Sequence, residues 1–276
     1  MVKGFYTAAM GMISQQRKMD MLTNNLSNAQ TPGYKAEQGS LRAFPQLLMR
    51  SYTQQTIPDH SFGFEQGTVI GRINSGVYMQ EQIFNMNPGT LKETTLPTDV
   101  ALVEGLIPTD EETGQQGALF FTIMAPNGDI YYTRNGNFHL NANNELVTSQ
   151  GFYVLDTNNQ PIQVQTPEFT IRSNGTIFEN DQQTAQMNIA YSNNPNTLIK
   201  VDTGIFQAPD NQALQEVPDG ATFSLYQGFL EGSNVDLAQT SVDMMSAYRL
   251  FEANQKALQA YDQTLEMAVN QIGKVN

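Results

Sequence analysis

The chain has no cysteine and only two histidines, His60 and His139. The first absence excludes a disulfide framework, thiolate metal ligation and thiol catalysis, and the second leaves little material for imidazole chemistry. Long apolar runs are missing as well. The stretch ALFFTIMA at 118–125 falls far short of the roughly 18 residues that a membrane-spanning helix needs, so no membrane insertion is expected. Within the first 25 residues, Lys3, Ser14, Gln15, Gln16, Arg17, Lys18 and Asp20 interrupt the apolar segment that a cleavable signal peptide would require. Basic residues are scarce, 14 against 27 acidic for a net charge of −13, and this argues against a nucleic-acid partner. No HExxH, phosphate-loop, G-x-S-x-G or EF-hand pattern occurs, which leaves metal, nucleotide and serine-hydrolase chemistry without sequence support. Asp110, Glu111 and Glu112 form an acidic run, but in a Gly- and Thr-rich stretch such a run reads as a solvated loop and not as a glycosidase pair. The expectation is a non-enzyme with no cofactor and no metal.

What the 276 residues do contain is a change of period. Near the N-terminus Phe5, Met12, Met19 and Leu26 fall seven apart, with Ala8 and Leu22 between them and Gln15 as a polar intruder. Near the C-terminus the same period returns as Leu237, Met244, Phe251, Leu258, Leu265 and Ile272, with Tyr261 and Ala268 between. Heptads predict helices over 4–29 and 236–272 with narrow seams of the coiled-coil kind. Ser233, Asn234 and Asp236 can cap the second helix and Gly273 can end it. The first is stopped by Pro32 and Gly33. Asn24, Asn25 and Asn28, poor helix formers crowded into its last turns, point to specified hydrogen bonds.

Between the ends the period drops to two, with Asn-Gly punctuation at 127–128, 135–136 and 174–175. Strands are expected at 118–124, 130–134, 137–140, 145–148, 152–155, 162–165, 169–172, 176–178 and 184–191. Residues 31–75 read as mostly extended, with a helical turn near 41–50. The fold class is therefore α+β. A discontinuous coiled-coil stem comes from 1–30 and 236–276, an antiparallel all-β head from 76–223, and extended connections from 31–75 and 224–235. Neither seam can enter the β core without displacing it, so the seams must pair with each other or with other copies. Charge is uneven too: residues 1–50 carry Lys3, Arg17, Lys18, Lys35, Arg42 and Arg50 against Asp20 and Glu37, and the rest is strongly acidic. This is either a solvated surface or a sign that the two ends meet different partners.

Specific strings then become familiar. NNLSNAQTPGYK at 24–35, with Asn24, Asn25, Asn28, Gly33, Tyr34 and Lys35, resembles the Asn-rich signature closing the N-terminal helix in the flagellar rod and hook family of axial proteins. The segment 231–272 resembles that family's C-terminal helix. The blocks 89–105 and 120–156 are similar to the head of its basal-body rod branch. The insertion LIPTDEETGQQGA at 106–118 departs from the pattern and is expected to be an exposed loop.

The resemblance implies a structural subunit that polymerises through its terminal helices into the hollow axial drive shaft carrying torque to the hook. It implies as partners further copies of the chain, other rod subunits, the hook protein and the flagellar type III export gate. The location it implies is the basal body, outside the cytoplasmic membrane and within the envelope, reached without a cleaved signal. Phe44 and Leu48 fit the Phe-x-x-x-apolar pattern that early export substrates show to that gate. The alternative is a secreted surface or glycan-binding protein with a β head on a helical stem, in which Tyr131, Tyr132 and Tyr153 stack on sugars.

Overall fold

The computed structural model describes residues 2–51, 68–74, 76–109, 114–166, 168–209 and 212–272. Helix α1 spans Val2–Ser27 and helix α2 spans Leu237–Ile272, within a few residues of the limits that the heptads predict. The Asp236 carboxylate accepts the backbone N–H of Ala238 at 2.9 Å and so caps the start of α2. The described residues form two compact units, one of Met1–Thr23, Gly39–Gln82 and Gln239–Asn276, the other of Asn24–Gln38 and Ile83–Ala238. The units divide near 23, 38, 82 and 238, whereas the change of period places boundaries near 30, 75, 223 and 235.

In the first unit the two helices run antiparallel. Tyr261 lies over Gly4, Asn254 over Gly11, and Thr23 donates its hydroxyl to the Met244 sulfur at 3.8 Å, so numbers rise on one helix as they fall on the other. The crossing is close: a Cβ on Gly11 would stand 3.0 Å from the Asn254 amide nitrogen, tight enough that the Asn254 side chain would have to give way. On α2 one line of at least partly buried side chains runs through Thr240, Met244, Ala247, Phe251, Asn254, Leu258, Tyr261, Leu265 and Ala268, alternately four and three apart. On α1 the buried line is Ala8, Gly11, Ser14, Gln15, Met21 and Leu22, while Met12, Met19 and Leu26 flank it half-buried. The polar intruder Gln15 therefore points inward, and its carbonyl oxygen has no partner among the described residues. Phe5 and Leu237 are exposed.

The helical turn expected near 41–50 is not there. Glu37–Ala43 is a strand paired with Val77–Phe84, and Leu47–Ser51 is a strand paired antiparallel with Thr68–Ile73. Non-local partners override a local helical preference, and Pro45, which has no N–H to give a ladder, falls in the gap between the two strands.

The second unit is built on antiparallel β structure around the strand Ala118–Met124. This strand pairs with Ile130–Thr133 through the Asn127-Gly128 turn, and also with Tyr153–Val154 and Ile189–Ser192. Both of its faces are covered, which is why it reads as an unbroken apolar run. Leu119, Phe121 and Ile123 join a core with Val100, Phe138, Leu146, Ile177 and Leu225. Ala118 and Phe120 join another with Tyr132, Ala190, Leu198 and Phe206. The strand expected at 162–165 is reduced to isolated bridges, Glu145 to Gln163 and Leu155 to Pro161, because Pro161 cannot donate to a ladder. The run 184–191 is divided into Gln182–Gln186 and Ile189–Ser192, since Met187 and Asn188 send their N–H groups elsewhere, to Gly175 and Leu155. Strands at Phe223–Gln227 and Phe229–Glu231 carry β structure past 223.

One backbone position is strained. Thr95 has a φ of +61° and is the sole β-branched residue with positive φ among those described, a conformation that costs about 1–3 kcal/mol. Thr95→Gly should raise the stability of the chain by about 0.5–2 kcal/mol once glycine's own entropy is set against the relieved strain. Urea melts of the two proteins measure this directly, and an unchanged midpoint would show that the turn carries no strain.

Candidate functional site

The Asn-rich stretch at the end of α1 and the strand entering α2 meet inside the second unit, and each residue type there has a definite task. Asn25 acts as a side-chain stand-in for a strand: its amide donates to the Glu37 carbonyl at 2.8 Å and its oxygen accepts the Glu37 N–H at 2.9 Å. The Tyr34 hydroxyl donates to the same Asn25 oxygen at 3.1 Å. Burial, with the nearby Glu37 carboxylate, pushes the Tyr34 phenol well above its ordinary range, so it stays a donor. Asn28 donates back to the Asn24 carbonyl and side-chain oxygens and accepts from Thr31, closing the helix end. Gly33 then turns with a φ of +66° and gives its N–H to the Glu231 carbonyl at 2.7 Å; a Cβ there would strike the backbone of Arg134 and Asn135. Asn234 completes the joint, accepting from the Ala36 N–H and donating to the Asn85 and Asn87 carbonyls.

At the centre lie four charges. Lys35 gives its ammonium to the Glu231 carboxylate at 2.7 Å and to the carbonyls of Met86 and Asn87, using all three donors. Arg134, 1% exposed, uses all five: Nε and Nη2 on Glu231, Nη1 on Glu104 and the Leu119 carbonyl, and Nη2 again on the Leu102 carbonyl. Glu231 accepts from Lys35 and the Gly89 N–H on one oxygen and twice from Arg134 on the other. Burial alone would raise the Glu231 pKa, but Arg134 and Lys35 together hold it below the carboxylate range. Burial and then the Arg134 charge push Lys35 down, and Glu231 opposes both. Two cations and two anions balance, and every donor of Lys35 and Arg134 and both oxygens of Glu231 are engaged. Lys200 adds an ion pair to Glu37 and lies over the Tyr34 ring.

The sequence pointed to one side of this joint and missed the other. Asn24, Asn25, Asn28, Gly33, Tyr34 and Lys35 are together, but Glu104, Arg134, Glu231 and Asn234 were not singled out as their partners. A lone arginine in YYTRNGN, next to a strand otherwise poor in charge, was the available signal. Phe44 packs on Tyr78 with ring centroids 4.9 Å apart, and Leu48 is exposed on its strand. Leu106 of the insertion is exposed and Ile107 buried, while the acids at 110–112, like His60, lie outside the described residues.

Among the described residues, the side chains weighed for catalysis or sugar binding lie apart from one another. His139 is exposed on its strand. Of the tyrosines weighed as a sugar platform, Tyr132 is buried and takes the Leu214 N–H on its hydroxyl, and Tyr131 packs edge-on against Phe152. A cavity of about 560 Å³ is lined by Asn85, Gln115, Gln116, Asn196 and Glu104; its one carboxylate, Glu104, is engaged by Arg134, and a hydrolytic pair needs two. Among the described residues no group of His, Asp and Glu converges on a metal position and no helix is long and apolar enough to cross a membrane.

Comparison with known proteins gives matches along most of the chain. Family models match over three segments: the flagella basal body rod protein model over 5–35, the flagellar hook protein FlgE/F/G D1 domain over 116–179, and the flagellar basal body rod FlgEFG protein C-terminal model over 226–272. Over its full length the chain is 41% identical to the full length of the flagellar hook-basal body complex protein FlhO of Bacillus subtilis. It is 32% identical to the flagellar basal-body rod protein FlgG of Borreliella burgdorferi, over 98% of each chain. It is 30% identical to FlgG of Bacillus subtilis, over 98% of this chain and 99% of that protein.

The Glu231 site gives a pH dependence with a definite sign. Its carboxyl titrates below its ordinary value of about 4.5 when folded, so between those two values the unfolded chain binds more protons and acid favours unfolding. Glu231 stabilises fully above pH 4.5 and loses that contribution as the pH falls toward its folded pKa, at up to about 1.4 kcal/mol per pH unit. Denaturant titrations at pH 3–6 should show this slope, and Glu231→Gln should flatten it; equal slopes in the two proteins would remove Glu231 from the account.

Proposed function

Because the chain belongs to the flagellar basal-body rod and hook protein family, and so is a structural axial subunit of the flagellar basal body, we propose that it polymerises through α1 and α2. In this reading the helices form a coiled-coil inner layer of a hollow shaft, the β unit faces outward, and the assembly passes torque to the hook. Its neighbours are further copies of itself and other rod and hook subunits. The supporting observation is a second apolar strip on α2. One face carries the partly buried stripe from Thr240 to Ala268, and away from it Val242, Met245 and Tyr248, three apart, stand more than half exposed in a single chain. On α1, Phe5, Tyr6 and Ile13 are 40–50% exposed. Large apolar side chains exposed along two helices are what an unassembled subunit of a helical lattice presents.

Val242→Asp separates assembly from folding, because Val242 is 55% exposed in the single chain and a carboxylate there costs the monomer little. In an occupied interface the same carboxylate is desolvated, at several kcal/mol. The variant should melt within about 2 °C of the parent yet enter basal bodies at least tenfold less and fail to restore motility to a null strain. Normal incorporation would rule this face out as an interface.

We also propose that the export gate reads Phe44 and Leu48 before folding, when Phe44 is not yet packed on Tyr78. Phe44→Ala with Leu48→Ala should reduce secretion at least tenfold while far-UV circular dichroism of the purified protein stays unchanged. Undiminished secretion would sink this assignment and leave the assembly proposal untouched.

A further inference from the structure

The four charges, of which Lys35, Arg134 and Glu231 are buried and Glu104 is partly buried, come from three separated parts of the chain. Lys35 belongs to the segment following α1, Glu231 to the segment preceding α2, and Arg134 with Glu104 to the β framework. The hydrogen bonds of the joint run between residues 196 apart for Lys35 and Glu231, 97 apart for Arg134 and Glu231, and 198 apart for Ala36 and Asn234. If residues 229–236 are not seated, the buried cations Lys35 and Arg134 share one carboxylate, that of the partly buried Glu104. If residues 24–38 are not seated, Glu231 and Glu104 share one buried cation, that of Arg134. Either half-closed state leaves an unbalanced charge in a dry site, which is strongly unfavourable. The same pairing extends to neutral groups, since the Gly33 N–H needs the Glu231 carbonyl and the Ala36 N–H needs the Asn234 side chain.

We propose that these charges form a latch: the two end segments of the second unit dock together or not at all, and they open as one cooperative piece while the β core stays folded. The apolar cores permit this. Their members, from Val100 to Leu225, lie between the two end segments and include neither of them. Closing the latch requires loop closures of about 100–200 residues, so it follows core formation. A partly synthesised or partly emerged chain therefore keeps its N-terminal segment unseated until residue 231 is available. This order of closure concerns folding alone and stands whether or not Phe44 and Leu48 meet an export gate.

Native-state amide exchange on the full-length protein tests it. Reporters of the latch are the amides of Gly33, Ala36, Glu37 and Gly89, and reporters of the core are those of Leu146, Leu155 and Ile162, all hydrogen-bonded. Glu231→Gln should speed exchange at all four latch amides together by about 30-fold or more and change the core amides by less than about threefold. Lys35→Gln alone should act in the same way. The double variant Lys35→Gln with Glu231→Gln restores charge balance and keeps hydrogen-bonding groups in place, so its latch amides should exchange more slowly than in either single variant. Three results would overturn the proposal: latch amides that respond one by one, core amides that accelerate equally, or a double variant at least as open as the singles.

Discussion

Glu231 is the residue on which the arrangement of the second unit depends. Its two carboxylate oxygens take four hydrogen bonds, from an ammonium, a guanidinium and a backbone amide that arrive from three parts of the chain. A buried ion pair gives little net stability over a well-packed apolar substitute, whereas breaking one is costly. The cluster therefore acts chiefly through selection. Any other register of 24–38 against 229–236 leaves a cation or a carboxylate alone in a dry site, and that penalty excludes it. Stability itself comes from elsewhere. Side chains such as Phe120, Phe121, Leu119 and Ile123, fully buried on the two faces of one strand, each contribute on the order of 1.5–3 kcal/mol before ordering entropy is subtracted.

How much of this was legible in the sequence follows from how local each signal is. Heptad spacing is set by neighbours three and four residues away, so the helices and much of the α2 stripe could be read directly. Ala118–Met124 announced itself as an unbroken apolar run because both of its faces are covered. The three asparagines at the end of α1 could be read as hydrogen-bonding residues, since nothing else accounts for poor helix formers crowded there. Their partners could not be read. Nothing in the local pattern around Arg134 or Glu231 states that they lie against Lys35, because the pairing is made about 100 and 200 residues away in the chain and leaves no period behind. For the same reason 41–50 read as a helical turn and folds as strand: its partners, 68–73 and 77–84, lie outside any window that the reading used.

The helix α1 changes task along its length, and its composition records the change. Up to Thr23 it belongs to the first unit, where glycines at 4 and 11 let Tyr261 and Asn254 of α2 come close. From Asn24 it belongs to the second unit, where apolar seam residues give way to amides that bond to strand backbone and to one another. An apolar side chain at position 25 would have offered methyl groups to the Glu37 N–H and carbonyl, leaving buried backbone groups unsatisfied at about 1–3 kcal/mol each. The demand for amides at Asn24 and Asn25 therefore comes from the joint, while the heptad spacing itself runs on to Leu26. This demand also accounts for a boundary between units that falls inside the helix and not at its end.

The same reasoning explains why the seam of α2 is not a uniform row of large aliphatic residues. Its inward positions alternate Met244, Phe251, Leu258 and Leu265 with Thr240, Ala247, Asn254, Tyr261 and Ala268. Interaxial distance between packed helices follows the size of the side chains at the contact, and small or polar residues set against the glycines of α1 give a close approach over a narrow strip. A narrow strip leaves much of each helix surface unused inside a single chain. Val242, Met245 and Tyr248 are apolar and half or more exposed there, an arrangement that a solitary globular protein would replace with charge. The close, narrow seam and the exposed apolar side chains are thus two results of one choice of residues, in which the inner contact is kept small and much of the apolar helix surface stays outside it.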